Sequence, residues 1–167
     1  MLLNDKPAKI AEIAEGCRIE FKPMNMHLIG LTKMGYTVSP AKGKYVITQK
    51  GKEALGIPET NKECATQILD QTSREKAFHF YEAMHKPLNL FACGLKDFSE
   101  KTQTVDIASL EFHLQRGDFE KWFLSIGDTE LARKMALLKA TGVNGEQLRA
   151  RLKEIVDNRC TALSKLA

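Results

Sequence analysis

The sequence predicts a mainly α-helical protein in two parts: a small N-terminal module of helices with one β-hairpin, followed by an all-helical bundle. Three observations predict it. Apolar residues recur at i, i+3 and i+4 through most of the chain, the spacing of half-buried helices. Capping residues and glycines bracket these stretches at short intervals. Two β-rich runs, Tyr36 to Ser39 and Lys44 to Thr48, flank the turn-forming Pro40-Ala41-Lys42-Gly43.

In chain order, Asp5 is placed to cap a first helix, with Pro7 in its first turn, Ile10, Ile13 and Ala14 on its apolar face and Gly16 as its stop. After Cys17, Arg18 and Ile19, Pro23 opens a second helix. Its Met24, Leu28 and Leu31 recur at i, i+4 and i+7, and Gly35 closes it. The hairpin follows, with Gly43 supplying a positive φ. Thr48 then caps a short helix carrying Ala54 and Leu55, and Gly56-Ile57-Pro58 ends a module spanning residues 1–57.

Thr60-Asn61-Lys62-Glu63 has the form of a capping box, in which the Thr60 hydroxyl bonds forward and the Glu63 carboxylate back. It opens a spacer helix through Cys64, Ile68 and Leu69, which with the polar run Gln71 to Lys76 gives a helical connector over 58–75. Residues 76–167 carry helical signals apart from a short extended run at Phe78-His79-Phe80-Tyr81. Pro87 is expected to precede a helix from Leu88 to Lys101, and Asp106, Asp118 and Asp128 to cap the next three. The last and longest helix, Gly145 to Leu166, aligns Leu148, Leu152, Ile155, Leu163 and Leu166 in a stripe interrupted by Arg159. That stripe is core by default, and its length also suits a homodimer formed through this helix. Phe112, Phe119, Trp122 and Phe123 are the expected core aromatics.

At 167 residues, 43% hydrophobic and 28% charged, the chain has the composition of a soluble globular protein, not of a collagen-like or disordered one. Its longest apolar stretch, Leu88 to Leu95, is broken by Asn89 and Gly94 and falls far short of the ~20 residues of a membrane helix. Met1-Leu2-Leu3-Asn4-Asp5 lacks the features of a signal peptide, so a cytoplasmic location is expected. Cys17, Cys64, Cys93 and Cys160 stand alone, as free thiols do. The formal charge of +4 is unevenly placed: residues 1–57 hold nine Lys/Arg against five Asp/Glu, and the remainder sixteen of each. A basic module beside a neutral one directs any polyanion to the N-terminal third.

The order helix, turn, helix, hairpin, helix is carried by Ile10-Ala11-Glu12-Ile13-Ala14, by Asn25-Met26-His27-Leu28 through Leu31 to Gly35-Tyr36, and by Gly43-Lys44-Tyr45-Val46-Ile47-Thr48-Gln49-Lys50-Gly51. It resembles the winged helix-turn-helix DNA-binding domain of small prokaryotic transcription regulators. The resemblance implies a second helix that enters the major groove and a hairpin that reaches phosphate or the minor groove. By position, Asn25 would bond a base edge, and Lys22, Lys33, Lys42 and Lys44, joined by Arg18, would contact phosphates. Met26, with Ile29 and Gly30, stands where such regulators place polar side chains, which equally suits a helix docked on protein. Such domains carry a further helix before the pair. Only Met1 to Asn4 precede it here, so an element from the C-terminal part, a partner chain or an earlier start is expected to cover that side.

Ser109-Leu110-Glu111-Phe112-His113, Arg116-Gly117-Asp118-Phe119 with Trp122, and Gly127-Asp128 followed by Glu130-Leu131-Ala132 resemble a largely archaeal helical domain family of unknown function, a likeness that implies a fold and no activity. Asp106, Ser109 and His113 share one helical face, but a mid-helix serine lacks the sharp turn and oxyanion donors of acyl transfer, so no catalytic group is assigned. His113 reads as a hydrogen-bonded, partly buried histidine, and His113, Arg116 and Trp122 form the candidate ligand pocket. His79, His85, Cys93 and His113 lack ligand spacing, and no phosphate loop or dinucleotide fingerprint occurs; neither metal nor cofactor is expected. The sequence therefore reads as a DNA-binding transcription regulator without enzymatic chemistry, its helical part dimerising or sensing an effector. The alternatives are a protein-interaction module and a small-molecule-binding protein or enzyme.

Overall fold

The computed structural model describes residues 6–167, which are mainly helical with small antiparallel sheets. The chain divides after Glu59 into two compact units. Among the described residues, no helix is long and apolar enough to cross a membrane.

In the first unit, β1 (Ala8–Lys9), α1 (Ile10–Cys17), α2 (Phe21–Lys33), β2 (Thr37–Ala41), β3 (Lys44–Ile47) and α3 (Gln49–Ala54) follow one another. The sheet has the order β1-β3-β2, all antiparallel, with Ala8 opposite Tyr45 and Thr37 opposite Ile47. Ile10, Ile13, Ala14, Met24 and Leu28 form the core between the helices, with Ala8 and Tyr45 packed on it. The expected cap Asp5 lies outside the described residues. Pro7 leads into β1 instead of a helical turn, because the backbone of Ala8 and Lys9 finds its partners on β3. Helix α1 begins at Ile10, runs through Gly16 and stops at Arg18, which takes the left-handed conformation (φ 54°). Helix α2 begins two residues before Pro23, which occupies the first turn, where its missing N–H costs no hydrogen bond.

The hairpin turn is shorter than the sequence suggests. Pro40 and Ala41 belong to β2, leaving Lys42 and Gly43 (φ 72°) to reverse the chain. Thr48 caps α3 as expected: its hydroxyl accepts the Gly51 N–H at 3.1 Å and donates to the Gly35 carbonyl at 2.6 Å. Gly51 is dictated by space. A Cβ there would sit 2.2 Å from the Tyr36 carbonyl oxygen and 2.7 Å from Ile47.

The second unit holds α4 (Lys62–Leu69), β4 (Phe78–Ala83), β5 (Lys86–Ala92), α5 (Leu95–Lys101), α6 (Ile107–Arg116), α7 (Asp118–Ser125), α8 (Thr129–Ala140) and α9 (Gly145–Ser164). The helix expected as a spacer is a layer of this core, since Ala65 and Ile68 of α4 are buried in it. Its cap is Asn61, which accepts the Cys64 N–H at 2.8 Å, while Thr60 accepts from Arg159.

The unit is not all-helical. Residues 78–92 form an antiparallel hairpin with Phe78 opposite Ala92 and Tyr81 opposite Pro87, so Leu88 to Ala92 is strand where helix is expected. Pro87 is tolerated because it lies on an edge strand. Asn89, at φ 52°, sits where three residues of β5 oppose Phe80, a bulge that bends the hairpin over the core. From that hairpin Phe78 meets Phe98, Phe119 and Trp122 at centroid distances of 5.2–5.6 Å, and Phe80 meets Phe98 at 5.8 Å. Phe119, Trp122 and Phe123 are core as expected, whereas Phe112 is only half-buried.

On α9 the buried face is Leu148, Leu152, Val156, Arg159 and Leu163, and Leu166 is exposed. The stripe expected to serve a homodimer is thus occupied by the unit's own α4, α5, α6 and α8. Arg159 does not interrupt it. Its guanidinium is buried against Asp128 (2.8 Å) and Glu130 (3.1 Å), and Lys134 pairs with Glu130 at 2.7 Å.

Candidate functional site

Two places concentrate exposed chemistry, one in each unit. In the first, the helical repeat puts Lys22, Met26, Ile29 and Lys33 of α2 along one line, opposite the buried Met24 and Leu28. All four are exposed, Met26 by 68%. Asn25 lies on the flank of this line and is half-buried; Thr32, on the same flank, hydrogen-bonds Thr37 at 2.9 Å. The outermost groups of α2 are therefore two cations around two apolar side chains, with the amide beside them. Arg18, Lys42 and Lys44 are exposed as well. Among the described residues none of these five cations is held in an ion pair, so each is available to an anion in solution.

The second place is a cavity of about 340 Å³ between the β4–β5 hairpin and α6, lined by Phe78, Tyr81, Met84, His85, Phe112 and Arg116 among others. It is built outward from His113. That side chain is 3% exposed, and its Nε2 accepts the backbone N–H of Tyr81 at 2.9 Å. An acceptor at Nε2 places the imidazole proton on Nδ1, which donates to Asp118 at 2.9 Å. Burial pushes the His113 pKa down; Asp118 opposes that shift and the Arg116 cation adds to it. The histidine is thus the hydrogen-bonded structural residue the sequence suggests. With both nitrogens engaged, it is no free base.

Asp118 accepts a second hydrogen bond on the same oxygen from Nε of Arg116 at 3.1 Å. The Asp118 backbone is the first residue of α7, and Gly117 (φ 71°) takes the cap position expected for Asp118. This frees the carboxylate to face α6. The Arg116 guanidinium lies over the Phe112 ring at 5.0 Å, and its Nη1 reaches Met84 Sδ at 3.2 Å. His113 and Arg116 are therefore brought together, but Trp122 does not line the cavity. Its indole is buried against Phe98, and Nε1–H donates to the Lys76 carbonyl at 3.0 Å.

Tyr81, Met84, Phe112 and Asp118 escape the sequence reading as lining residues. The available signal is the Arg116-Gly117-Asp118 junction, where a glycine between two helices turns an acidic side chain back on the preceding turn. Ser109 is fully buried on α6, Asp106 caps that helix through the Ala108 N–H at 2.8 Å, and His113 bonds Tyr81 and Asp118, so the polar groups of this face are each engaged with other parts of the unit or buried. Among the described residues no group of three or more His, Cys, Asp or Glu side chains is placed to hold a metal ion. Comparison with known proteins gave no match to a family model, to a curated protein or to a solved structure.

Proposed function

We propose that the chain is a DNA-binding transcription regulator, whose N-terminal unit acts as a winged helix and whose helical unit serves dimerisation or effector sensing. The observation that carries this reading is the cationic dress of the first unit. Lys22 and Lys33 on the outward line of α2, and Lys42 and Lys44 on the hairpin, are exposed and without ion-pair partners among the described residues. The antiparallel sheet formed by β1 with the hairpin supports the same reading, since it gives the two helices and the hairpin one common frame. Contacts of this kind position a protein on a duplex without reading its sequence.

The test is fluorescence anisotropy of the full chain with a labelled duplex at low and moderate salt. Four phosphate contacts lower affinity roughly 100-fold on passing from 50 to 200 mM salt, and each Lys→Gln change at these positions flattens the log–log slope by about 0.9. Absence of binding at 50 mM salt overturns the reading.

A second reading is favoured by Met26 and Ile29, which are 68% and 44% exposed between the two lysines. A face with an apolar centre and a cationic rim suits a protein partner. The double change Met26→Lys and Ile29→Lys separates the two. Tighter, more salt-sensitive duplex binding supports the first reading, and loss of self-association in sedimentation supports the second.

A further inference from the structure

We propose that the cavity between the β4–β5 hairpin and α6 binds a small organic monoanion with a planar apolar body, its carboxylate held by the outer edge of Arg116. This goes beyond the DNA reading and does not rest on it.

The guanidinium is unusually well fixed for a side chain in which 42% of the surface is exposed. A relay of hydrogen bonds, from the Tyr81 N–H through His113 to Asp118, presents one carboxylate oxygen to Arg116 Nε. The Phe112 ring sets the plane. What remains is the outer pair of nitrogens. Nη1 meets only a thioether sulfur, a weak acceptor, and Nη2 has no protein partner among the described residues. A planar fork of unmet donors, immobilised in advance, matches the two oxygens of a carboxylate.

The charge and shape of the cavity narrow the class further. Asp118 already balances Arg116 and His113 is held neutral, so the fixed site offers no excess charge to a phosphate dianion. One carboxylate suits it better. The walls contributed by Phe78, Tyr81, Met84 and Phe112 are apolar and largely aromatic, and about 340 Å³ lies at the lower end of the ~300–1,000 Å³ range of small-molecule pockets. A bare inorganic ion would leave those walls unused.

The experiment is a titration of the isotope-labelled full chain with 2-naphthoate, followed by amide chemical shifts, with 2-naphthalenemethanol, acetate and inorganic phosphate as comparators. Saturable shifts at residues 78–85 and 112–118 are expected for 2-naphthoate at low-millimolar concentration or below. The neutral alcohol, acetate and phosphate should each bind about tenfold more weakly or worse. Arg116→Gln should weaken 2-naphthoate by about tenfold or more, with Arg116→Lys in between. Ala83→Leu, which fills the cavity and leaves the arginine in place, keeps the question decidable if Arg116→Gln does not fold. The proposal fails if 2-naphthoate produces no saturable shift, if the neutral alcohol binds equally well, if the shifts centre elsewhere, or if the folded variants bind like the parent chain.

Discussion

Replacing Arg159 by Met tests the most deeply desolvated polar cluster of the second unit. The guanidinium is 6% exposed and hydrogen-bonds Asp128 through Nε at 2.8 and 3.1 Å, Glu130 at 3.1 Å and Thr60 at 3.3 Å; Asp128 itself is fully buried. Lys134 also pairs with Glu130, and deleting Arg159 takes from the fully buried Asp128 carboxylate the guanidinium that faces it. Methionine keeps much of the volume, so the expected loss is electrostatic. Breaking a buried pair by removing one partner costs about 3–5 kcal/mol, a large part of the 5–15 kcal/mol typical of a domain.

The assay is urea unfolding followed by tryptophan fluorescence. Trp122 is the sole tryptophan of the chain and lies in the core of the second unit, so the signal reports that unit alone. Adding Asp128→Asn to Arg159→Met removes the stranded charge while an amide oxygen still caps α8 at the Leu131 N–H. The double variant should therefore recover about 1 kcal/mol or more. An Arg159→Met protein within about 1 kcal/mol of the parent, or a double variant less stable than the single one, would refute the claim that these charges are held by one another and not by water.

Four further outcomes are expected. Burial lowers the His113 pKa, so the unfolded chain takes up that proton first; stability is full above pH ~6.5 and falls below it by at most about 1.4 kcal/mol per pH unit. His113→Gln should flatten that dependence in the Trp122 unfolding curve. Gly51→Ala should destabilise the first unit by about 1–3 kcal/mol, because the backbone at Tyr36 cannot retreat. Gly30→Ala, on the same unit but with nothing within 4 Å, should stabilise it by up to about 1 kcal/mol; amide hydrogen exchange reads both. Finally, burial, with Asp157 and Asp128 nearby, pushes the Cys160 thiol up to about 11. At pH 8 an aromatic disulfide reagent should label the exposed Cys17 and Cys64 rapidly and Cys160 only after denaturation.

The helices of the first unit were legible because their signals are local: the spacing of Met24, Leu28 and Leu31, the Thr48 cap and the glycine of the turn. Strand β1 was not, since two residues carry no periodicity and only pairing with Tyr45 and Lys44 makes them a strand. The second hairpin is hidden for a related reason. Leu88, Leu90 and Ala92 have good helix propensity and Pro87 looks like a helix start, but Asn89 in a left-handed bulge and the burial of Phe78 and Phe80 decide in favour of sheet. Arg159 reads as a break in an apolar stripe because its partners Asp128 and Glu130 lie some thirty residues earlier. At the cavity, His113 and Arg116 were visible from their proximity on one helix. The place of Trp122 is not legible, because sequence distance does not tell which way a helix after a glycine junction will face.

The bond from the Tyr81 backbone to His113 has a consequence for association. A two-stranded sheet ordinarily offers its outer rim to any passing extended segment, and this one would be open along β4. The imidazole occupies the position a third strand would claim, so growth of the ladder is blocked at that point by a side chain of the same molecule. Removing the ring would leave the Tyr81 N–H without that acceptor, beneath a helix, α6, that still packs along β4.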